Sequence, residues 1–396
     1  MRERNTATTF IPLSVPEIGG NEWRYVKDCL DTGWVSSVGE YVNRFERMIA
    51  ETVGASSAVA TCNGTSALHT ALLVSGVQPG DEVLVSTLTF IAPVNAIRYT
   101  GAWPVFIDAE PQFWQIDPEK VRDFLKDGCQ YSTGELRNRR SGRRVRAILP
   151  VHILGHPADL DPIVSIAREF GLAVIEDATE CLGAKYRGVS VGTIGEIACF
   201  SFNGNKIITT GGGGAIVTSN PHWAAKAKYL TTQAKDDPIE FVHGEIGYNY
   251  RLTNIQAAMG CAQLEVLGEY IRKKLAIASR YERALRGTPG ITLMAQAPWA
   301  QSIFWLYTIL VEETQFGQNA RAILQELARK GIQSRPLWQP MHRSPAHRDC
   351  EAFRCETADW LHARALSLPC SVGLAESDQN YVIESLRLLA GSSSRS

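Results

Sequence analysis

Lys206 stands in the segment Cys199-Phe-Ser-Phe-Asn-Gly-Asn-Lys-Ile-Ile-Thr-Thr-Gly-Gly-Gly-Gly-Ala215, where an apolar run ends and four glycines follow. Glycines allow positive φ and close approach of backbone to a ligand. A lysine held partly out of water there can lose its proton and act as an amine nucleophile. A second apolar run ends on acids, in Ile175-Glu-Asp-Ala-Thr-Glu180. A carboxylate at a buried strand end is costly unless a cation faces it, and the protonated ring nitrogen of a cofactor would be such a cation. A third run stops at Asn63-Gly-Thr-Ser66, which places hydroxyls and free N–H groups at a helix start, where phosphate binds without cationic side chains.

Each feature alone has a plain structural reading: an exposed lysine, a solvent-facing turn or metal pair, a helix cap. Taken together, an imine-forming lysine, an aspartate for a pyridinium and a helix-end phosphate cup describe a pyridoxal phosphate site. Other catalytic signatures are missing from the sequence: there is no G-x-x-x-x-G-K-[ST], no G-x-G-x-x-G after a strand, no H-E-x-x-H and no G-x-S-x-G. His342, His347, Cys350 and Cys355 have zinc-ligand types, but their spacing is not that of paired knuckles. No metal is therefore expected.

The elements that must position these residues alternate helix and strand up to about residue 220, the pattern of a sheet covered by helices. Strands are expected at 58–62, 82–85, 104–107, 145–150, 172–175, 198–202 and 215–218, and continuously apolar runs such as Leu172-Ala-Val-Ile175 predict a mostly parallel sheet buried on both faces. Ligands in such sheets lie at the carboxyl ends of strands. Helices are expected from Asn21 to Gly33, from Glu40 to Val53, at 67–75, and after Asp117-Pro118 and Asp161-Pro162, where a cap residue precedes a first-turn proline. Beyond Leu264 a long charged helix (265–286), a strand at 305–311, a helix near 319–330 and a last helix near 379–389 suggest a smaller α/β unit. The expected division is 1–264 for the large domain, 265–390 for the small one, and a disordered tail at 391–396.

Composition narrows the classes further. The 396 residues carry 40 basic and 41 acidic side chains, so no global field draws the chain to nucleic acid or an anionic membrane. Six arginines fall within Arg137–Arg146, and the expected role of that segment is a solvated loop before a strand rather than a nucleic-acid patch. No stretch is apolar enough to span a membrane, and the first residues do not form a secretion signal. Nine scattered cysteines without a C-x-x-C pair point to reduced thiols and a cytoplasmic protein.

The phrases around Lys206, Glu-Asp177-Ala, Gly-Tyr-Asn249-Tyr-Arg-Leu-Thr-Asn254 and Thr-Gly-Trp-Val-Ser-Ser-Val-Gly39 resemble the DegT/DnrJ/EryC1/StrS sugar aminotransferases, from about residue 12 to 370. Asn-Gly-Asn-Lys206, Thr-Thr-Gln-Ala-Lys235 and Arg335-Pro-Leu-Trp338 look most like the LegC and bacillosamine-type branch, which aminates C4 of a UDP-linked 4-keto-6-deoxy-N-acetylhexosamine. The resemblance implies the fold type I, aspartate aminotransferase-like architecture, a homodimer with shared active sites, and glutamate as amino donor. Lys206 would hold the cofactor and Asp177 its ring nitrogen. Phe90 would stack on the ring, Gly64, Thr65, Ser66 and Ser201 would take the phosphate, and Asn249 would reach over from the partner subunit. Glu180 would bind the cofactor at its phenolic oxygen; it stands where many relatives have His or Gln, and the bacillosamine-like branch has Glu. Substrate contacts are expected from Trp34, Ser36, Arg251, Arg335, Trp338 and His342. GDP- or dTDP-linked sugars are the alternative substrates. Sugar dehydratases of the same fold carry His at the lysine position, so Lys206 argues for transamination.

Overall fold

The computed structural model describes residues 10–237 and 239–392. Its main sheet has eight strands: β1 (Ser57–Thr61), β2 (Glu82–Ser86), β3 (Trp103–Ile107), β4 (Val145–Leu149), β5 (Ala173–Asp177), β6 (Ile197–Ser201), β7 (Gly214–Thr218) and, far along the chain, Glu351–Phe353. In spatial order they run β1-β7-β6-β5-β4-β2-β3, with Glu351–Phe353 beside β3 at the edge. β7 pairs antiparallel with both its neighbours and every other pairing is parallel. Seven strands thus point one way, and the carboxyl ends of β1, β2, β4, β5 and β6 open onto one rim.

Burial on both faces has a direct cause in the strand sequences. Successive side chains alternate across a strand, and in β2 Val83 and Val85 pack into one apolar cluster while Leu84 packs into another. β4 divides likewise, Ala147 and Leu149 against Ile148. Helices cover both faces, among them α1 (Glu22–Thr32), α2 (Glu40–Val53), α3 (Gly64–Val74), α4 (Ile91–Tyr99), α5 (Pro118–Gly128), α6 (Leu160–Phe170) and α7 (Pro221–Thr231).

Several boundaries differ from the sequence expectation for identifiable reasons. α3 begins at Gly64 rather than 67 because the Asn63 side chain caps it, accepting from Ser66 N–H at 2.8 Å. The long helix α8 spans Asn254–Leu285, not 265–286, since Thr253 and Gln256 form a capping box at its start. The expected boundary at residue 264 therefore falls inside α8, which packs on α1 and α2 and also reaches the later helix Glu376–Ser392. The final helix runs past the predicted 389 to Ser392, through the start of the expected disordered tail, and residues 393–396 of that tail lie outside the described residues.

A second sheet of three antiparallel strands, Ile291–Leu293, Tyr307–Val311 and Ala365–Leu368, forms the core of the C-terminal part. Glu351–Phe353, from the same part of the sequence, leaves it and pairs with β3. The arginine-rich segment is in part as expected: Cys129–Ser132 and Glu135–Asn138 form a hairpin that takes in Arg137, and 139–143 form a mostly exposed turn before β4. Arg144 grips Asp81 through two nitrogens at 2.9 and 2.7 Å, Arg137 meets Glu135, and Arg143 lies 4.1 Å over the Trp103 ring. Those three arginines are held by partners within this chain. The nine cysteines are all free, and no described helix is long and apolar enough to cross a membrane.

Candidate active site

The rim of strand ends encloses a cavity of about 370 Å³ lined, among others, by Gly64, Thr65, Phe90, Val151, Asp177, Glu180, Ser201 and Lys206. The lining is supplied by the ends of five different strands. β1 runs into the Asn63 turn, β2 into Thr89 and Phe90, β4 into Val151, β5 ends on Asp177, and β6 ends on Ser201, five residues before Lys206. Crossing strands at fixed spacing bring together residues more than a hundred positions apart.

Lys206 is 13% exposed at its side chain, with its Nζ 3.5 Å from Glu180 Oε1 and 4.3 Å from the centre of the Trp305 ring. The indole N–H of Trp305 donates to the Asn205 carbonyl at 2.7 Å, which fixes that ring beside the lysine. Asp177 is buried, and one carboxylate oxygen accepts from Thr179 N–H at 3.1 Å. Burial raises its pKa, with Thr179, Lys206 and His152 pulling the other way. Burial also pushes Glu180 up to about 7, against the pull of Lys206 and of Leu154 N–H.

Behind Asp177 lies a buried clamp that the sequence did not reveal. Glu176 accepts from His152 Nε2 at 3.1 Å and from the N–H groups of Gly192, Ile194 and Gly195 at 2.9, 2.9 and 2.6 Å. Burial works to raise this carboxyl, yet the hydrogen bonds from His152, Gly195 and Gly192 leave it below its ordinary range. Because Ala158 N–H donates to His152 Nδ1 at 3.0 Å, the ring hydrogen sits on Nε2 and points to Glu176. The acidic pair at the strand end is thus divided by the period of two: Glu176 ties down the chain, and Asp177 faces the cavity.

Of the turn expected to hold phosphate, fewer residues reach the cavity than the sequence suggested. Gly64 and Thr65 line the cavity, and their N–H groups have no hydrogen-bond partner among the described residues. Ser66 does not line it. Its N–H serves the Asn63 cap and its hydroxyl lies 3.3 Å from Cys62 Sγ, so it is set aside as a phosphate ligand. The four glycines also miss the cavity. They instead let β7 pass the Asn63 turn, where a side chain on Gly214 would stand 2.5 Å from the Asn63 carbonyl. Gly64 has its own need: a Cβ there would lie 2.9 Å from Ser201 Cβ and 3.3 Å from Thr179 Cγ2. Gly64→Ala is expected to weaken cofactor binding by about five- to a hundredfold, since overpacking costs about 1–3 kcal/mol. Titrating cofactor into stripped protein by absorbance measures this, and unchanged affinity would remove the cup from Gly64.

The expected substrate residues separate into three places. Trp338 lines the cavity, and Arg335 lines an adjoining space of about 230 Å³ that shares Asn205, Trp305 and Trp338 with it. Trp34 and Arg251 line a different hollow of about 480 Å³, with Arg251 donating to the Ser37 carbonyl at 2.6 Å. Ser36 and Asn249 are exposed outside this chain's own cavity. His342 does not reach the cavity: Nδ1 lies 2.8 Å from Thr87 Oγ1, and Nε2 3.4 Å from Asp359 Oδ1, which ties it to the end of β2. His347 is spent on Asn95 at 3.1 Å, and no group of metal-ligating side chains occurs among the described residues. Sequence reasoning missed Trp305 and Val151, which carry no motif and enter only through the fold, and passed over Thr179 and Asn205 inside the motifs of Glu180 and Lys206.

One lysine, one buried carboxylate on the neighbouring strand end, and paired N–H groups beside two hydroxyls fit pyridoxal phosphate in charge and donor type. On this sheet the arrangement defines a fold type I aminotransferase. The model of the DegT/DnrJ/EryC1/StrS aminotransferase family matches residues 16–387, and the chain belongs to that pyridoxal phosphate-dependent family. It is 39% identical to the GDP-perosamine synthase of Caulobacter vibrioides over 95% of this chain and 97% of that one. It is 38% identical to EpsN of Bacillus subtilis, whose name provisionally makes it a pyridoxal phosphate-dependent aminotransferase, over 95% of each. DesV of S. venezuelae, solved in complex with a ketimine intermediate, superposes with a TM-score of 0.84 at 31% identity, covering 93% of this chain and 94% of that one.

Proposed function

We propose that this enzyme moves an amino group from glutamate to C4 of a nucleotide-linked 4-keto-6-deoxy sugar, as a homodimer. The meeting of Lys206, Asp177, Thr65 and Ser201 in one cleft carries the reading. In it, Lys206 holds the cofactor covalently, Asp177 keeps a proton on its ring nitrogen, Phe90 lies against its ring, and the Gly64 and Thr65 N–H groups with the Thr65 and Ser201 hydroxyls hold its phosphate. When bound, pyridoxal phosphate supplies a ring that delocalises the electron pair left on the donor's α-carbon. The freed Lys206 amine takes the proton from that carbon and, in the return half, gives one to C4 of the sugar. Trp305 and Trp338 supply walls that keep water from the lysine.

The nucleotide is proposed to be GDP, supported by the name of the Caulobacter relative. The phrases Asn-Gly-Asn-Lys206 and Arg335-Pro-Leu-Trp338 favour a second reading, the UDP-linked N-acetylhexosamine. Dimerisation is supported by Trp34, Ser36 and Asn249 lying exposed and away from this chain's own Lys206 cavity, and by the exposed apolar side chains of Trp23, Ile239, Phe241 and Ile246. The enzyme is to be incubated with glutamate and GDP-, UDP- or dTDP-linked 4-keto sugars, and products read by NMR at C4. A new C4 amine on the GDP sugar is expected, from a species of twice the chain mass. Turnover only with the UDP sugar would select the second reading, and no amine on any of the three would end both.

A further inference from the structure

Glu180 is the site residue whose geometry the transamination scheme leaves unused. One of its oxygens, Oε2, is fixed by Leu154 N–H at 2.8 Å; the other, Oε1, has Lys206 as its hydrogen-bonding neighbour among the described residues, at 3.5 Å. The donor that fixes it comes from a strained turn. Leu154 has φ 62° and is fully buried, a conformation that costs a non-glycine residue energy and persists where surrounding contacts over-determine it. Gly155 continues the turn at φ 84°, and a side chain there would stand 2.5 Å from Trp305 N. The turn is thus wedged between Glu180 and the residue whose ring packs on Lys206.

We propose that Glu180 is a further catalytic residue, holding on Oε1 the proton that Lys206 Nζ gives up and returning it. In the forward step an N–H bond of the Lys206 ammonium breaks and an O–H bond on Glu180 forms; the lysine keeps the electron pair, and nothing is oxidised or reduced. The pair passes from two buried charges to none, which removes the cost of keeping ions out of water. A carboxyl pushed up to about 7 is a stronger base than an ordinary glutamate by between two and three powers of ten. The charged and titratable groups around Glu180 are Lys206, which favours its ionised form, and Asp177 and the Cys181 thiol. Asp177 opposes ionisation, and burial, aided by the neighbouring carboxylates, holds the Cys181 thiol far above its usual range. With Oε2 fixed on the backbone, the proton has one place to go.

This inference rests on Lys206 being the cofactor lysine, and its test is separate from that reading. The full chain, freed of cofactor, is treated with formaldehyde and cyanoborohydride between pH 6 and 9, and methylation of the Lys206 peptide is followed by mass spectrometry. Glu180→Gln keeps an oxygen for Leu154 N–H and removes the charge. Below pH 7, where Glu180 is neutral, both proteins should react alike. As pH rises through the Glu180 titration the new carboxylate holds the wild-type ammonium, so the variant should react faster, by about tenfold at pH 8. Equal rates across the whole range would overturn the proposal. Should the variant not fold, the coupling can be read from the other side, because linkage is reciprocal. The infrared carboxyl band of Glu180 should titrate higher in Lys206→Ala than in wild type, and an unmoved band would overturn it as well. Borohydride fixation of cofactor on Lys206 together with unaltered methylation would sink this inference and leave the aminotransferase reading standing.

Discussion

Lys206→Ala protein should retain the fold and bind pyridoxal phosphate reversibly, yet lose turnover by roughly four powers of ten or more. The loss combines two roles in one amine, covalent attachment and proton transfer at the donor's α-carbon. Borohydride added to the wild-type enzyme should fix the cofactor on the peptide containing Lys206, and the variant should show no fixed label. Lys274 is the internal control. It is buried too, but its ammonium donates to the carbonyls of Trp305 and Cys370, at 2.6 Å for the first, and it does not line the cavity. Burial lowers its pKa, so depressed basicity alone does not make a lysine the cofactor's. Label on Lys274, or near-normal turnover of Lys206→Ala, would refute the assignment.

Asp177→Asn should cost about two to four powers of ten in kcat, with only a small change in melting temperature. The amide has the shape of the acid, and its oxygen can still accept from Thr179 N–H. What it cannot do is hold a pyridinium, because a neutral acceptor does not offset the charge of a protonated ring nitrogen in a dry site. The acid limb follows from the same residue. The carboxyl must be ionised to act, and burial raises its pKa in the cofactor-free chain. Cofactor affinity is therefore full at higher pH and weakens as pH falls through that raised value, earlier than for a free aspartate. In Asp177→Asn this pH dependence should vanish. An asparagine variant with wild-type rates, or with the pH dependence intact, would show that the ring nitrogen is held elsewhere.

The lining of the cavity was legible in the sequence where a residue lies within a few positions of a strand end. Asp177, Lys206, Gly64, Thr65 and Ser201 all sit there, because a parallel sheet turns such positions toward one rim. Ser66 and His342 failed for a local reason. Each has a short-range partner, Cys62 and the Asn63 cap for one, Thr87 for the other, and a motif does not display such competition. Trp305 and Leu154 were beyond reach for a different reason: Trp305 arrives from the C-terminal part and Leu154 from a turn whose backbone angle no sequence pattern announces. The sheet itself was readable from its apolar runs. Its last strand was not, since Glu351-Ala-Phe353 is three residues long and neither alternates nor stays apolar.

That short strand also bears on how the protein is made. β3 is complete by Ile107, but the neighbour that covers its outer edge is Glu351–Phe353. On a ribosome, the main sheet would wait with that edge open while some 240 further residues are added, counting from 107 to 351. Open edges invite pairing with other chains, and contacts so distant in sequence form slowly. The edge closes only when the C-terminal part has emerged, so the outer edge of the sheet is covered only after Trp305 has been added to the cavity's wall.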